Sequence, residues 1–178
     1  DTVKAACAIA KYSSEDEYAG LIDRQYMAKN VLELELCHPW DISPEDAQKL
    51  AIECENFARN FDDSISNSEG ATVHTYQGSH IYGNTHGFVG GWDWSTHSID
   101  CSVIAEQDGK MQREGWYTRC RNHIDLEKIE IIGETAAKRT LMRLDSRKIS
   151  TQSVPVIYEA PVAGGLFSSF ISAISGSS

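Results

Sequence analysis

Between Ser64 and Thr118 the sequence changes character, and this stretch limits the possible folds more than any other. It holds most of the glycines, and its apolar residues recur at every second position. Alternating runs occupy 71–76, 79–83, 97–105 and 110–118. Gly78, the Gly87/Gly90/Gly91 cluster and Asp108-Gly109 separate them. Asp-Gly between alternating runs is a hairpin signal, because both residues tolerate positive φ. Ser98, Asp100 and Ser102 alternate with Ile99, Cys101 and Val103, as in an antiparallel strand buried on one side. The pattern predicts three to five antiparallel strands.

Helical periods flank this block. Ser43 can cap a helix, Pro44 suits its first turn, and Glu45 and Asp46 face the positive end of its dipole. Ala47, Leu50, Ala51, Cys54, Phe57 and Ala58 then follow at helical spacing, predicting a helix over 44–61. Over 126–145, Ile129, Ile132, Gly133, Ala136, Ala137, Thr140, Leu141 and Leu144 share one face. Glu127 and Glu130 come early, while Lys138, Arg139 and Arg143 come late, which complements the dipole. Residues 3–12 read as a third helix, with Val3, Ala6, Cys7 and Ala10 inward. Ser13–Glu17 is a polar loop, 18–42 has no clean period, and 146–151 reads as a linker. A short strand is expected at Val154–Tyr158 and a small-residue helix over 161–175. The expected class is α+β: an antiparallel sheet packed with helices near 3–12, 44–61 and 126–145.

Composition removes whole classes of function. With 41% hydrophobic and 24% charged residues, the chain falls among soluble globular proteins. Its 178 residues can bury roughly 70% of the unfolded surface, so a core needs no staples. The net charge of −10 argues against binding nucleic acid or an anionic membrane, both of which need an excess of Lys and Arg. The longest apolar run, Val162–Ile174, is too short to span a bilayer. Asp1-Thr2-Val3-Lys4 lacks a basic segment followed by an apolar one, so no signal peptide is expected in this sequence. Neither end reads as a natural terminus, and a fragment of a longer protein is expected. Five cysteines (Cys7, Cys37, Cys54, Cys101 and Cys120) without a CxxC pair fit reduced cytosolic thiols.

Read residue by residue, the chain offers no clear active site. His74, His80 and His86 are spaced by six, which would align them on one continuous strand. Gly78 and Gly83 are expected to break that strand. No HExxH, GxSxG or phosphate-binding glycine motif occurs. Trp92 and Trp94 have strand spacing and a shared face. They are candidate peptide contacts, and packing of the sheet against helices remains the alternative.

The ordered series of short motifs says more. Ser66-Asn67-Ser68-Glu69-Gly70 precedes Tyr82-Gly83-Asn84-Thr85-His86-Gly87 and Ser95-Thr96-His97-Ser98. Ser102–Glu106, Met111–Glu114, Trp116–Thr118, Ala136–Leu141, Arg147–Thr151 and Pro155–Tyr158 follow. In this order they resemble the TldD/PmbA peptidase family, and within it the PmbA (TldE) branch. The resemblance implies a central domain over residues 1–150 and, over 151–178, the first strand and helix of a truncated C-terminal domain. It further implies a cytoplasmic zinc peptidase of two related subunits acting on unfolded or small peptides.

In such a pair the TldD-like subunit carries an HExxxH helix, whose two histidines bind zinc and whose glutamate activates water. The matching stretch here runs from Leu166 to Ala173. Ser168 stands at the first histidine, Ser169 at the glutamate and Ala173 at the second histidine. A neutral hydroxyl is a poor zinc ligand and a methyl group is none. The resemblance therefore implies the non-catalytic partner, with no catalytic or metal residue of its own and with zinc held by a TldD-like subunit. Two alternatives stay open: a self-sufficient peptidase with ligands elsewhere, and a peptide-binding module without enzymatic function.

Overall fold

The alternating block folds as three strands of one antiparallel sheet, in the order β1-β2-β3. The computed structural model describes residues 1–16 and 19–175. It divides into two units, 1–145 and 146–178. In the first, β1 spans Ile65–Gly83, β2 Val89–Gln107 and β3 Lys110–Cys120. Asp108-Gly109 makes the expected two-residue hairpin between β2 and β3, with φ of +52° and +71°. Both φ values are positive, as a type I′ turn requires.

One expectation fails at Gly78. It does not end a strand; β1 runs straight through it, opposite Trp94 of β2. A Cβ at Gly78 would lie 3.1 Å from the Trp94 ring. The missing side chain makes room for the indole across the ladder, so the glycine completes a cross-strand pair.

The phase of β2 came out as the pattern predicts. Ser95, His97, Ile99, Cys101, Val103 and Ala105 are buried, while the residues between them turn to the other face. Two helices cover the buried face. The first long helix, Pro44–Arg59, starts where the capping signal placed it. The Ser43 hydroxyl accepts from the Asp46 N–H at 3.1 Å and donates to the Asp46 carboxylate at 2.8 Å. Ser43→Ala should cost about 1 kcal/mol. A melting curve should fall by roughly 2–4 °C, and no change would show that water caps this end equally well.

In chain order we call the helices α1 (Thr2–Ala10), α2 (Pro44–Arg59), α3 (Ile129–Leu141) and α4 (Ala160–Ile174). Cys54 and Ala58 of α2 and Ile132, Ala136 and Ala137 of α3 join the buried side chains of β2 in one core. The α2–α3 crossing is tight. A Cβ on Gly133 would lie 2.5 Å from the Cys54 carbonyl oxygen. Helices segregated to one face of an antiparallel sheet make this an α+β fold.

Three further expectations are corrected. The helix near 3–12 forms as α1, but Val3, Ala6, Cys7 and Ala10 are all exposed rather than inward. The 126–145 helix is regular only over Ile129–Leu141 and is preceded by a 3-10 turn at His123–Asp125. Val154–Tyr158 is not a strand, since no neighbouring strand pairs with it among the described residues. The segment without a clean period is irregular apart from a 3-10 turn at Arg24–Tyr26. Glu17 of the polar loop lies outside the described residues.

Candidate functional site

The second unit carries α4, and with it Ser168, Ser169 and Ala173, the positions expected to match the zinc-binding residues of the TldD-like subunit. Pro161 sits in its first turn, and no residue of the helix is buried. The Ser168 hydroxyl donates to the Gly164 carbonyl at 3.1 Å, and that of Ser169 to the Gly165 carbonyl at 2.9 Å. Both are turned back on their own helix, as serines inside helices commonly are. Ala173 offers a methyl group. No imidazole, thiolate or carboxylate is present at these positions, so this donor set does not fit zinc.

The histidine triplet does not converge either. Because β1 is continuous, His74 and His80 do share a face, contrary to expectation. Six residues of strand nevertheless hold them about 20 Å apart. His86 lies in the loop beyond β1, with its Nδ1 3.3 Å from the Met27 sulfur. Among the described residues no three His, Cys, Asp or Glu side chains are grouped to hold a metal.

Trp92 and Trp94 fall on the face of β2 opposite the helices, so they are not packed beneath α2 and α3. Trp92 is 46% exposed and stacks on His80 across the ladder, with ring centres 4.5 Å apart. Tyr76 stacks on His74 on the same face, with ring centres 5.8 Å apart. Trp116 points the other way: its indole N–H donates to the Glu127 carboxylate at 2.8 Å, and the Arg139 guanidinium lies 5.0 Å from its ring centre. The tryptophans are thus divided between the two faces.

The sequence reading missed a buried polar cluster in β2 where its pairing with β3 stops, His97 lying opposite Cys120. His97 is 1% exposed. Its Nε2 lies 2.9 Å from the His38 carbonyl oxygen and its Nδ1 2.8 Å from the Thr75 hydroxyl. A carbonyl can only accept, so Nε2 donates to it, and the Thr75 hydroxyl engages Nδ1. The Ser95 hydroxyl accepts from the His38 N–H and donates to the Arg121 carbonyl, each at 2.8 Å. Trp40 lies edge-on to His97 and flat on His123.

With both ring nitrogens and the serine hydroxyl engaged, this Ser–His pair is not a nucleophile and base. It fastens residues 36–40 and 121–123 to the sheet. A cavity of about 410 Å³ opens beside it, lined by Pro39, Trp40, Asp41, Thr75 and Gln77. The one sequence signal for the cluster was that Ser95 and His97 continue the buried phase of Ile99 and Cys101.

The cysteines are all free thiols. Cys54 and Cys101 meet in the core. The hydrogen bond with Cys54, followed by burial, pushes the Cys101 thiol up, which keeps it protonated and unreactive.

Comparison with known proteins places this arrangement. The family model for the PmbA/TldA metallopeptidase central domain matches residues 37–144. The chain is 41% identical over 177 residues to Metalloprotease PmbA of Escherichia coli O157:H7, covering 99% of this chain and 39% of that protein. It is 40% identical over 178 residues to a Metalloprotease PmbA homolog of Haemophilus influenzae, covering 100% of this chain and 40% of that one. The chain therefore spans about two fifths of the length of the curated relatives it matches. A crystal structure from Bacteroides thetaiotaomicron, of a protein proposed as a modulator of DNA gyrase, superposes with a TM-score of 0.84. It shares 21% identity, covering 99% of this chain and 41% of that one. TldE of Thermococcus kodakarensis superposes with a TM-score of 0.56 at 18% identity, covering 78% of this chain and 31% of that one. The two structures share the fold.

Proposed function

We propose, for a chain that belongs to the PmbA/TldA metallopeptidase family, the role of the subunit that does not hold the zinc. In this reading the whole protein is a PmbA/TldE-like member of a heteromeric zinc peptidase of the cytoplasm. A TldD-like subunit supplies zinc and the water-activating glutamate, and the substrates are unfolded or small peptides. Residues 151–178 open the C-terminal domain, and α4 takes the place of the zinc helix.

The observation that carries the proposal is the donor set at Ser168, Ser169 and Ala173, where two hydroxyls are bonded to their own backbone and the third position is a methyl. Zinc polarises the peptide carbonyl and lowers the pKa of bound water, and none of these groups can hold it or accept a proton from that water. What this chain contributes is a scaffold and peptide contact. Trp92 and Trp94 lie on the sheet face opposite the helices, where flat aromatic surfaces suit an extended peptide. No helix among the described residues is long and apolar enough to cross a membrane, and the net charge of −10 favours a peptide over a nucleic acid partner.

The full-length protein purified alone should contain almost no zinc by elemental mass spectrometry. It should cleave an unfolded test peptide only when mixed with an HExxxH-bearing relative. About one zinc per chain, with chelator-sensitive cleavage by the protein alone, would falsify the partner-subunit reading and favour a self-sufficient enzyme. Trp92→Ala should weaken peptide binding while zinc content stays unchanged.

A further inference from the structure

The helices α2 and α3 leave a groove on their outer side, with a volume of about 540 Å³. We infer that this groove docks an amphipathic helix of a partner protein that carries Lys or Arg beside its apolar stripe. Phe57 and Phe61 line it and are 39% and 37% exposed. Glu53 from α2 and Glu130 and Glu134 from α3 line it as well. Positions 53, 56 and 57 of α2 and its C-cap Asn60 follow i, i+3, i+4, i+7, so they form one stripe about 10 Å long. That length matches two turns of an incoming helix packed between two others.

Charge chooses the occupant. Glu53 and Glu130 have no ion-pair partner among the described residues. An anionic segment would be repelled, and a purely apolar one would strip water from carboxylates without repayment. A lysine or arginine stem can lie on the phenyl rings while its charged head reaches the rim.

The chain already holds one ammonium in this manner. Lys138 Nζ lies 5.1 Å from the centre of the Phe61 ring and bonds the Glu134 carboxylate at 3.0 Å. Both Phe61 and Glu134 line the groove. Ring and carboxylate together form a receptor for an alkylammonium, and Lys138 occupies one end of it.

The test measures fluorescence anisotropy of a labelled leucine–lysine amphipathic model helix with the full chain. A matched leucine–glutamate helix is the control. The lysine helix should bind and the glutamate helix should not. Glu130→Gln with Glu134→Gln should weaken binding on the order of ten-fold. Glu33→Gln with Glu106→Gln, the same charge change away from the groove, should stay within about two-fold. Lys138→Met should tighten binding several-fold, because it removes the resident cation. All these sites are on the surface, so folding should be retained, which circular dichroism checks. Equal losses for the two double variants would mean diffuse attraction to an acidic chain and would overturn the inference. So would weaker binding by Lys138→Met, or no binding of the lysine helix at all.

Discussion

Gly133→Ala is expected to lower the melting temperature by roughly 4–8 °C, although alanine is the better helix former. Two effects oppose each other at this position. Helix propensity alone favours alanine by about 1 kcal/mol. Against it, the new methyl carbon would sit 2.5 Å from the Cys54 carbonyl oxygen, 2.8 Å from the Phe57 Cβ and 3.0 Å from the Ala58 nitrogen. Two of these neighbours are backbone and cannot rotate away. Overpacking of this kind costs about 3 kcal/mol, so the clash wins. A calorimetric scan decides the sign. A variant that melted higher than the parent would mean that α2 and α3 do not cross this closely.

His97→Ala should be comparably severe, at about 3–4 kcal/mol. The change opens a cavity in a filled site and leaves the Thr75 hydroxyl and the His38 carbonyl without their partner. His97→Phe separates the two contributions. It restores volume but not the hydrogen bonds, and should recover only part of the loss. Because His97 and Ser95 tie residues 36–40 to the sheet, amide exchange at Cys37, His38 and Trp40 should speed up well before the helices open. If exchange rose equally throughout the chain, the cluster would be one more part of the core and not a local fastener.

The parts of the fold legible in the sequence are those set by near neighbours. Ser43 capping its own helix, Asp108-Gly109 turning a hairpin and the alternation along Ser98–Val103 each depend on residues a few positions apart. All three took the form the pattern predicts. The α3 face was legible for the same reason: period 3.6 put Ile132, Gly133, Ala136, Ala137 and Thr140 on one side, and all five are buried. Where a segment meets no packing or pairing neighbour among the described residues, the local pattern misleads. Val3, Ala6, Cys7 and Ala10 of α1 stay exposed, and Val154–Tyr158 remains outside any ladder.

Gly78 and His97 were misjudged or missed for a single reason. Gly78 reads as a strand breaker until Trp94 is placed opposite it. His97 reads as one alternating residue among many until His38, 59 positions earlier, brings its carbonyl to Nε2. Such partners are set by strand register and chain crossing, which no local window contains. Residue identity, by contrast, needs no geometry. That Ser168, Ser169 and Ala173 are not zinc-ligand side chains follows from their identity alone, and the ordered motifs point to the family without any geometry. By itself, then, the sequence determined the Ser43 cap, the hairpin turn, the α+β class and the family. Only the tertiary structure decided that β1 passes through Gly78, that Trp92 and Trp94 face away from the helices, that His97 is a buried fastener and that α2 and α3 enclose an acidic, aromatic groove. Each of these depends on atoms that are distant along the chain and adjacent only once the sheet has paired and the helices have crossed.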